Sequence, residues 1–221
     1  MPKAKTAEQA LQGPATSRVN NPEKTKAEIL EVAFKEFADN GYGGARVDEI
    51  AARTSTSKRM IYYYFESKDG LYQAVLREYY LRLRGAERTL HLEDKRPLDA
   101  LAELVSFTFD YHTTHPDGVR LIIVENIQNG RTVSQLPNVE GLNSVIIHSV
   151  RDICERGASE GVIRPNIDPV DLYQTIAALS FFNVTNKYTF AKIFQRDMTS
   201  PEALAARKAS VVETILRFVA A

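Results

Sequence analysis

Residues 25–71 read TKAEILEVAFKEFADNGYGGARVDEIAARTSTSKRMIYYYFESKDGL, three short apolar-periodic segments in a row, each closed by turn residues. In the first, Ile29, Leu30, Ala33, Phe34 and Phe37 recur at helical spacing and mark one apolar helix face. Just upstream, Asn21 suits an N-cap, Pro22 the first helical position and Glu23 the positive end of the helix dipole. Asn40-Gly41 ends the helix, since Gly41 is free to take a left-handed backbone. The second segment, residues 47–54, turns Val47, Ile50 and Ala51 inward. The third, residues 58–65, follows Ser57 as N-cap and buries Met60, Ile61 and Tyr64 or Phe65. Only Thr54-Ser55-Thr56-Ser57 separates the last two. Helices joined so tightly cross steeply, which predicts a helix-turn-helix.

Outward from this stretch, the chain of 221 residues is 44% hydrophobic and 25% charged, as in a soluble globular protein with a real core. Its formal net charge is zero, but the distribution matters more. Residues 53–68 hold four cations (Arg53, Lys58, Arg59, Lys68) against one acid, Glu66, and a local patch suffices for an electrostatic footprint. The single cysteine, Cys154, cannot form an intrachain disulfide, which fits a reducing cytoplasm. The first 21 residues lack the apolar core of a signal peptide, and no apolar run reaches the length of a membrane span.

Four units are expected. Residues 1–21 form a mildly basic disordered arm, and residues 22–68 the helix-turn-helix head. Residues 69–90 form a linker helix capped by Ser67, and residues 91–221 a helical body. Within the body, helices are predicted over 97–114, 118–128, 139–160, 169–190 and 201–218, with VIRPNIDP (162–169) extended. No strand alternation of useful length appears, so the fold class is all-α with about nine helices.

A recognition helix presents its N-terminal residues to base edges in the major groove. Here these are Lys58, Arg59 and Met60: the cations suit guanine O6 and N7, the methionine a thymine methyl. Tyr62, Tyr63 and Lys68 are better placed for phosphates. The residues Ile29, Ala33, Phe37, Gly41-Tyr42, Ile50-Ala51, Ser57, Tyr62, Phe65, Ser67-Lys68 and Leu71 resemble, in identity and spacing, the DNA-binding head of tetracycline-repressor (TetR) family regulators. Two places depart from that pattern. Family members usually carry Thr or Ser where this chain has Ala45 and Arg46; Arg46 can replace a phosphate contact by charge but not the cap. The usual Ala-Gly-Val-Ser turn reads Thr-Ser-Thr-Ser, so Ser55 is expected to adopt the backbone that glycine normally takes. The expected DNA-binding set is Arg46, Ser57, Lys58, Arg59, Met60, Tyr62, Tyr63 and Lys68.

The resemblance implies that the body binds an effector and dimerises. A dimer also follows from geometry, because two heads about 34–36 Å apart read enough sequence of a palindromic operator to be specific. The helices over 169–190 and 201–218 are the candidate interface, with Leu172, Ile176, Leu179, Phe182 and Asn183 on one and Leu204, Val211, Val212, Ile215, Leu216 and Val219 on the other. Polar groups inside apolar helices nominate a pocket: Phe107 and Tyr111, Glu125 and Asn126, His148 and Arg151, Phe182 and Asn186. That mixture suits an aromatic or anionic small molecule. His112 and His115 offer two nitrogens where zinc wants three or four ligands, so no metal is expected. There is no phosphate loop, catalytic triad spacing or cofactor motif, which argues against an enzyme. A helical module whose head binds protein rather than DNA is the alternative.

Overall fold

The Asn21 side chain accepts the Lys24 amide at 3.2 Å and starts α1 (Pro22–Gly44) on Pro22. The computed structural model describes residues 21–221, and all their side chains except those at 139, 140, 142 and 143. The arm expected over residues 1–21 therefore lies outside the described residues apart from Asn21. Gly41, at φ +67°, interrupts the helical backbone of α1 as anticipated, and one further turn runs to Gly44. Then come α2 (Val47–Ala52) and α3 (Lys58–Phe65), the former two residues shorter than expected.

Ser57 accepts the Met60 amide at 3.3 Å and Ser67 the Gly70 amide at 3.0 Å, so both predicted serine caps form. Between them Glu66, at φ +65°, makes the tight turn into α4 (Lys68–Arg88). A Cβ on Gly70 would stand 2.1 Å from the Phe65 carbonyl oxygen, so only glycine fits that approach. The expectation for Ser55 fails. It is not among the residues with positive φ; its amide donates to Glu28 Oε1 at 2.8 Å, and that bond from α1 shapes the turn instead.

The body holds α5 (Pro97–Thr114), α6 (Pro116–Ile127), α7 (Val139–Ser159), α8 (Pro169–Thr185), α9 (Lys187–Phe194) and α10 (Pro201–Val219). Among the described residues there are thus ten α-helices rather than nine. The helix expected over 169–190 breaks at Asn186, whose side chain turns back to the Thr185 hydroxyl at 2.7 Å; such local bonding competes with helix continuation. Residues 162–168 are mostly extended, with an isolated antiparallel bridge from Ile163 to Ala220.

Two apolar cores result. One lies between α5, α7, α8 and α10 and includes Leu101, Leu104, Phe109, Val150, Ile153, Leu172, Ile176, Val211 and Ile215. The other joins α1–α4 through Ile29, Phe37, Ile50, Ile61, Leu71 and Tyr72, and takes in Leu121 of α6. The head core therefore continues into the body. Salt bridges on α1 strengthen the joint, with Arg120 of α6 on Asp39 at 3.1 Å and Arg82 of α4 on Glu31.

Candidate nucleic-acid interface and effector site

Ile61 of α3 is fully buried in the head core, and Tyr64 and Phe65 pack half-buried against it. That seating leaves Arg59, Tyr62 and Tyr63 exposed on the opposite side, with Tyr63 75% accessible. Arg59 makes no salt bridge among the described residues. Lys58 does: its ammonium sits 2.9 Å from Asp48 of α2, and that hydrogen bond raises its pKa. The two adjacent cations thus differ in availability. Met60 is half-buried beside Arg59, Ser57, Tyr63 and Lys26 along a broad surface depression.

Arg46 stands exposed at the head of α2 and makes no side-chain capping bond, as its chemistry predicts. Its amide is instead satisfied by Glu36 Oε1 at 3.2 Å. Glu36 is 2% exposed and also pairs with Arg53 at 3.3 Å. Glu28 and Glu36, two acids on α1, therefore position the turn and α2; both lie on the inward arc of α1, and that placement was the readable signal. Lys68 extends over the Tyr42 ring at 4.8 Å, while the Tyr42 hydroxyl donates to Asp69 at 2.7 Å. Burial, then Asp69, pushes that phenol up to about 12. Of the expected set, Arg46, Arg59, Tyr62 and Tyr63 are thus exposed, and Lys68 is half-exposed beside Tyr42.

The residues expected to line an effector pocket do not converge. Asn126, His148 and Arg151 are exposed because they fall on the outer faces of α6 and α7, and Asn126 bonds back to its own helix at Ile122 O. Glu125 is buried, yet it serves the backbone: Oε1 accepts Thr132 N at 2.6 Å and Val133 N at 2.8 Å. Asn186 breaks a helix, and Phe182 lines a recess beside α9. Only Phe107 and Tyr111 stay together, with ring centroids 5.6 Å apart.

Beside Tyr111 the body hides a polar cluster that the sequence reading passed over. Arg84 and Glu87 of α4 pair with each other, and Tyr173 of α8 contacts both, at 3.1 Å to Arg84 and 3.2 Å to Glu87. Burial raises the Glu87 carboxyl, opposed by Arg84. His112 is 3% exposed, its ring edge on Phe181 at 4.4 Å; burial, then Arg84, lowers it to about 4, so it is neutral. His115 instead stacks on Tyr111 at 4.2 Å, and the two histidines serve different neighbours. Arg84 Nε and His112 Nδ1 are buried without a hydrogen-bond partner. Arg84 and Glu87 also line a cavity of about 320 Å³ with Ile146 and Ser149 of α7, within the usual size for a small ligand. A signal existed: Arg84 and Glu87 continue the apolar face of Leu76, Tyr80 and Leu83 on α4, where charge is out of place.

A helix-turn-helix head fused to an α-helical body with a partly polar cleft between α4 and α7 defines a ligand-responsive, DNA-binding transcription regulator. The chain belongs to the TetR family. Residues 29–75 match the model described as "Bacterial regulatory proteins, tetR family", and residues 97–215 the one described as "Tetracyclin repressor-like, C-terminal domain". The chain is 33% identical to the HTH-type transcriptional repressor NicS of Pseudomonas putida, over 85% of this chain and 89% of that protein. It is 32% identical to the HTH-type transcriptional repressor SCO4008 of Streptomyces coelicolor, over 72% of this chain and 78% of that protein. Among solved structures, the regulator SCO4942 of Streptomyces coelicolor superposes with TM-score 0.67 at 26% identity, covering 88% of this chain and 98% of that one. No helix among the described residues is long and apolar enough to cross a membrane.

Proposed function

We propose that this protein is a cytoplasmic, dimeric repressor that grips a palindromic operator through two copies of α3 and releases it when a small molecule occupies the body. The observation that carries this reading is the outward face of α3, where Arg59 and Tyr63 stand exposed on a helix whose other side is locked into the core. Two relatives named as repressors support the sign of the regulation.

Dimer contacts fall to the outward faces of α8 and α10. The interface residues expected from the sequence need correction here, because Leu172, Ile176, Val211, Ile215 and Val219 are consumed by the protomer's own core. Exposed positions include Asp171, Gln174 and Ala178 on α8, and Ala205, Ala206, Ala209, Ser210, Glu213, Thr214 and Arg217 on α10. The small residues Ala205, Ala206 and Ala209 allow close helix approach across a two-fold axis.

For the effector we assign the cavity lined by Arg84, Glu87, Ile146 and Ser149, beside the Tyr173 hydroxyl. A ligand there meets Arg84, whose Nε is buried without a partner. It also touches α4, which leads directly into the head through Ser67. To release DNA, it must bind the non-gripping arrangement more tightly than the gripping one. The test is fluorescence anisotropy with duplexes from the DNA flanking the protein's own gene, across a salt series. Tight binding to one segment, falling steeply with salt, is expected. Negligible binding to every duplex at low salt would overturn the reading.

A further inference from the structure

A recess of about 210 Å³ lies between α8, α9 and the start of α10. Its walls include Phe182, Asn183, Phe190, Met198, Arg196 and Arg207, none of which belongs to the Arg84 cluster. Phe182 and Phe190 meet edge to face at 5.5 Å and form an aromatic wall. Asn183 is 4% exposed and lines the recess. It also lines an adjoining recess with Lys187 and Met198, so it stands where the two openings meet.

The charge around it is cationic. Arg196 and Arg207 make no salt bridge among the described residues. Lys187 lies over the Tyr188 ring at 5.0 Å rather than on a carboxylate. The N-terminus of α10 reaches the wall at Ala203 and adds the positive end of a 19-residue helix. Asp197 is the one acid on that wall. Its Oδ1 is already engaged by Thr199 N at 2.9 Å, Thr199 Oγ1 at 3.2 Å and Ser200 N at 3.2 Å.

We propose that this recess is a second ligand site, separate from the Arg84 cavity, and that it takes a planar aromatic carboxylate. The ring lies against Phe182 and Phe190, the carboxylate meets Arg207 and Arg196, and the Asn183 amide bonds an oxygen of the ligand. A guanidinium matches a carboxylate in shape as well as charge, and an aromatic slot favours a flat molecule over an aliphatic one.

The site is tested on the full-length protein with 2-naphthoate followed by its own fluorescence, since the chain has no tryptophan to interfere. Saturable binding of one probe per chain is expected. Arg207→Gln, at a half-exposed position, and Asn183→Leu should each weaken it by about tenfold or more, while Arg151→Gln, on the outer face of α7, leaves it within about twofold. Neutral 2-naphthamide should bind about tenfold more weakly than the acid. Thermal unfolding of each variant confirms that it is folded. Unchanged affinity in folded Arg207→Gln, loss of binding in Arg151→Gln, equal binding of acid and amide, or no saturation at millimolar probe would each overturn the proposal.

Discussion

Two adjacent cations on α3 stand in different electrostatic states, and they should read DNA differently. Arg59 carries no competing carboxylate, and its planar fork suits guanine. Arg59→Ala is expected to flatten discrimination at one operator position by about 1–3 kcal/mol, measured with a panel of single-base operator variants. Lys58 must first leave Asp48, 2.9 Å away. Asp48→Asn should therefore tighten binding to all duplexes alike, whereas Lys68→Ala should loosen it alike and reduce the salt slope by about one. Inside the body, His112 links folding to pH. Its folded pKa of about 4 lies below the ordinary 6.5, so the unfolded chain binds the extra proton between those values. Its contribution is complete above about pH 6.5 and is lost as pH falls towards 4, by up to about 3 kcal/mol. Denaturant unfolding from pH 7 to pH 4.5 should show this slope in the wild type and lose it in His112→Phe. An equal slope in both would remove His112 from the account.

Helix-scale features were legible where local chemistry decides them. Asn21, Pro22, Ser57 and Ser67 each begin or cap the helix their residue type predicts. The turn at Ser55 was not, because its shape depends on Glu28, 27 residues away. Nor was the break at Asn186, where helix-compatible apolar residues continue on both sides. Two glycines show how much the neighbouring element matters. A Cβ on Gly85 of α4 meets nothing within 4 Å, while one on Gly118 of α6 would stand 2.2 Å from the Tyr79 ring. Gly85→Ala is expected to stabilise by about 0.5–1 kcal/mol through helix propensity. Gly118→Ala should destabilise by about 1–3 kcal/mol, because Tyr79 is 4% exposed and has little room to yield. Urea midpoints of the two variants on opposite sides of wild type are the check, and a stabilised Gly118→Ala would contradict the packing of α6 on α4.

For the molecule as a whole, residues far apart in sequence decide both function and shape. The exposed side of α3 was readable because it occupies one short helix. The interior cluster was not, since Tyr173 reaches Arg84 across 89 positions and no local pattern joins them. On α8 and α10 the apolar periodicity of Leu172, Ile176, Val211, Ile215 and Val219 marks the protomer's own core, and the exposed faces carry small and polar residues. This gives a test of the dimer. Ala209 is exposed on α10, away from the core, so Ala209→Arg should leave the single chain folded, with stability changed by about 0.5 kcal/mol or less. Across a two-fold axis the same change brings two bulky cations together and blocks helix approach. The variant should sediment as a monomer, keep wild-type helicity by circular dichroism, and lose about 10²–10⁴-fold in affinity for the full operator, because the second head no longer binds in tandem. Affinity for an isolated half-site at low salt should remain, since α3 and its exposed Arg59 are untouched. A dimeric variant with undiminished operator affinity would move the interface off the outward face of α10, while a monomer that still binds the full operator tightly would deny that the two heads act together.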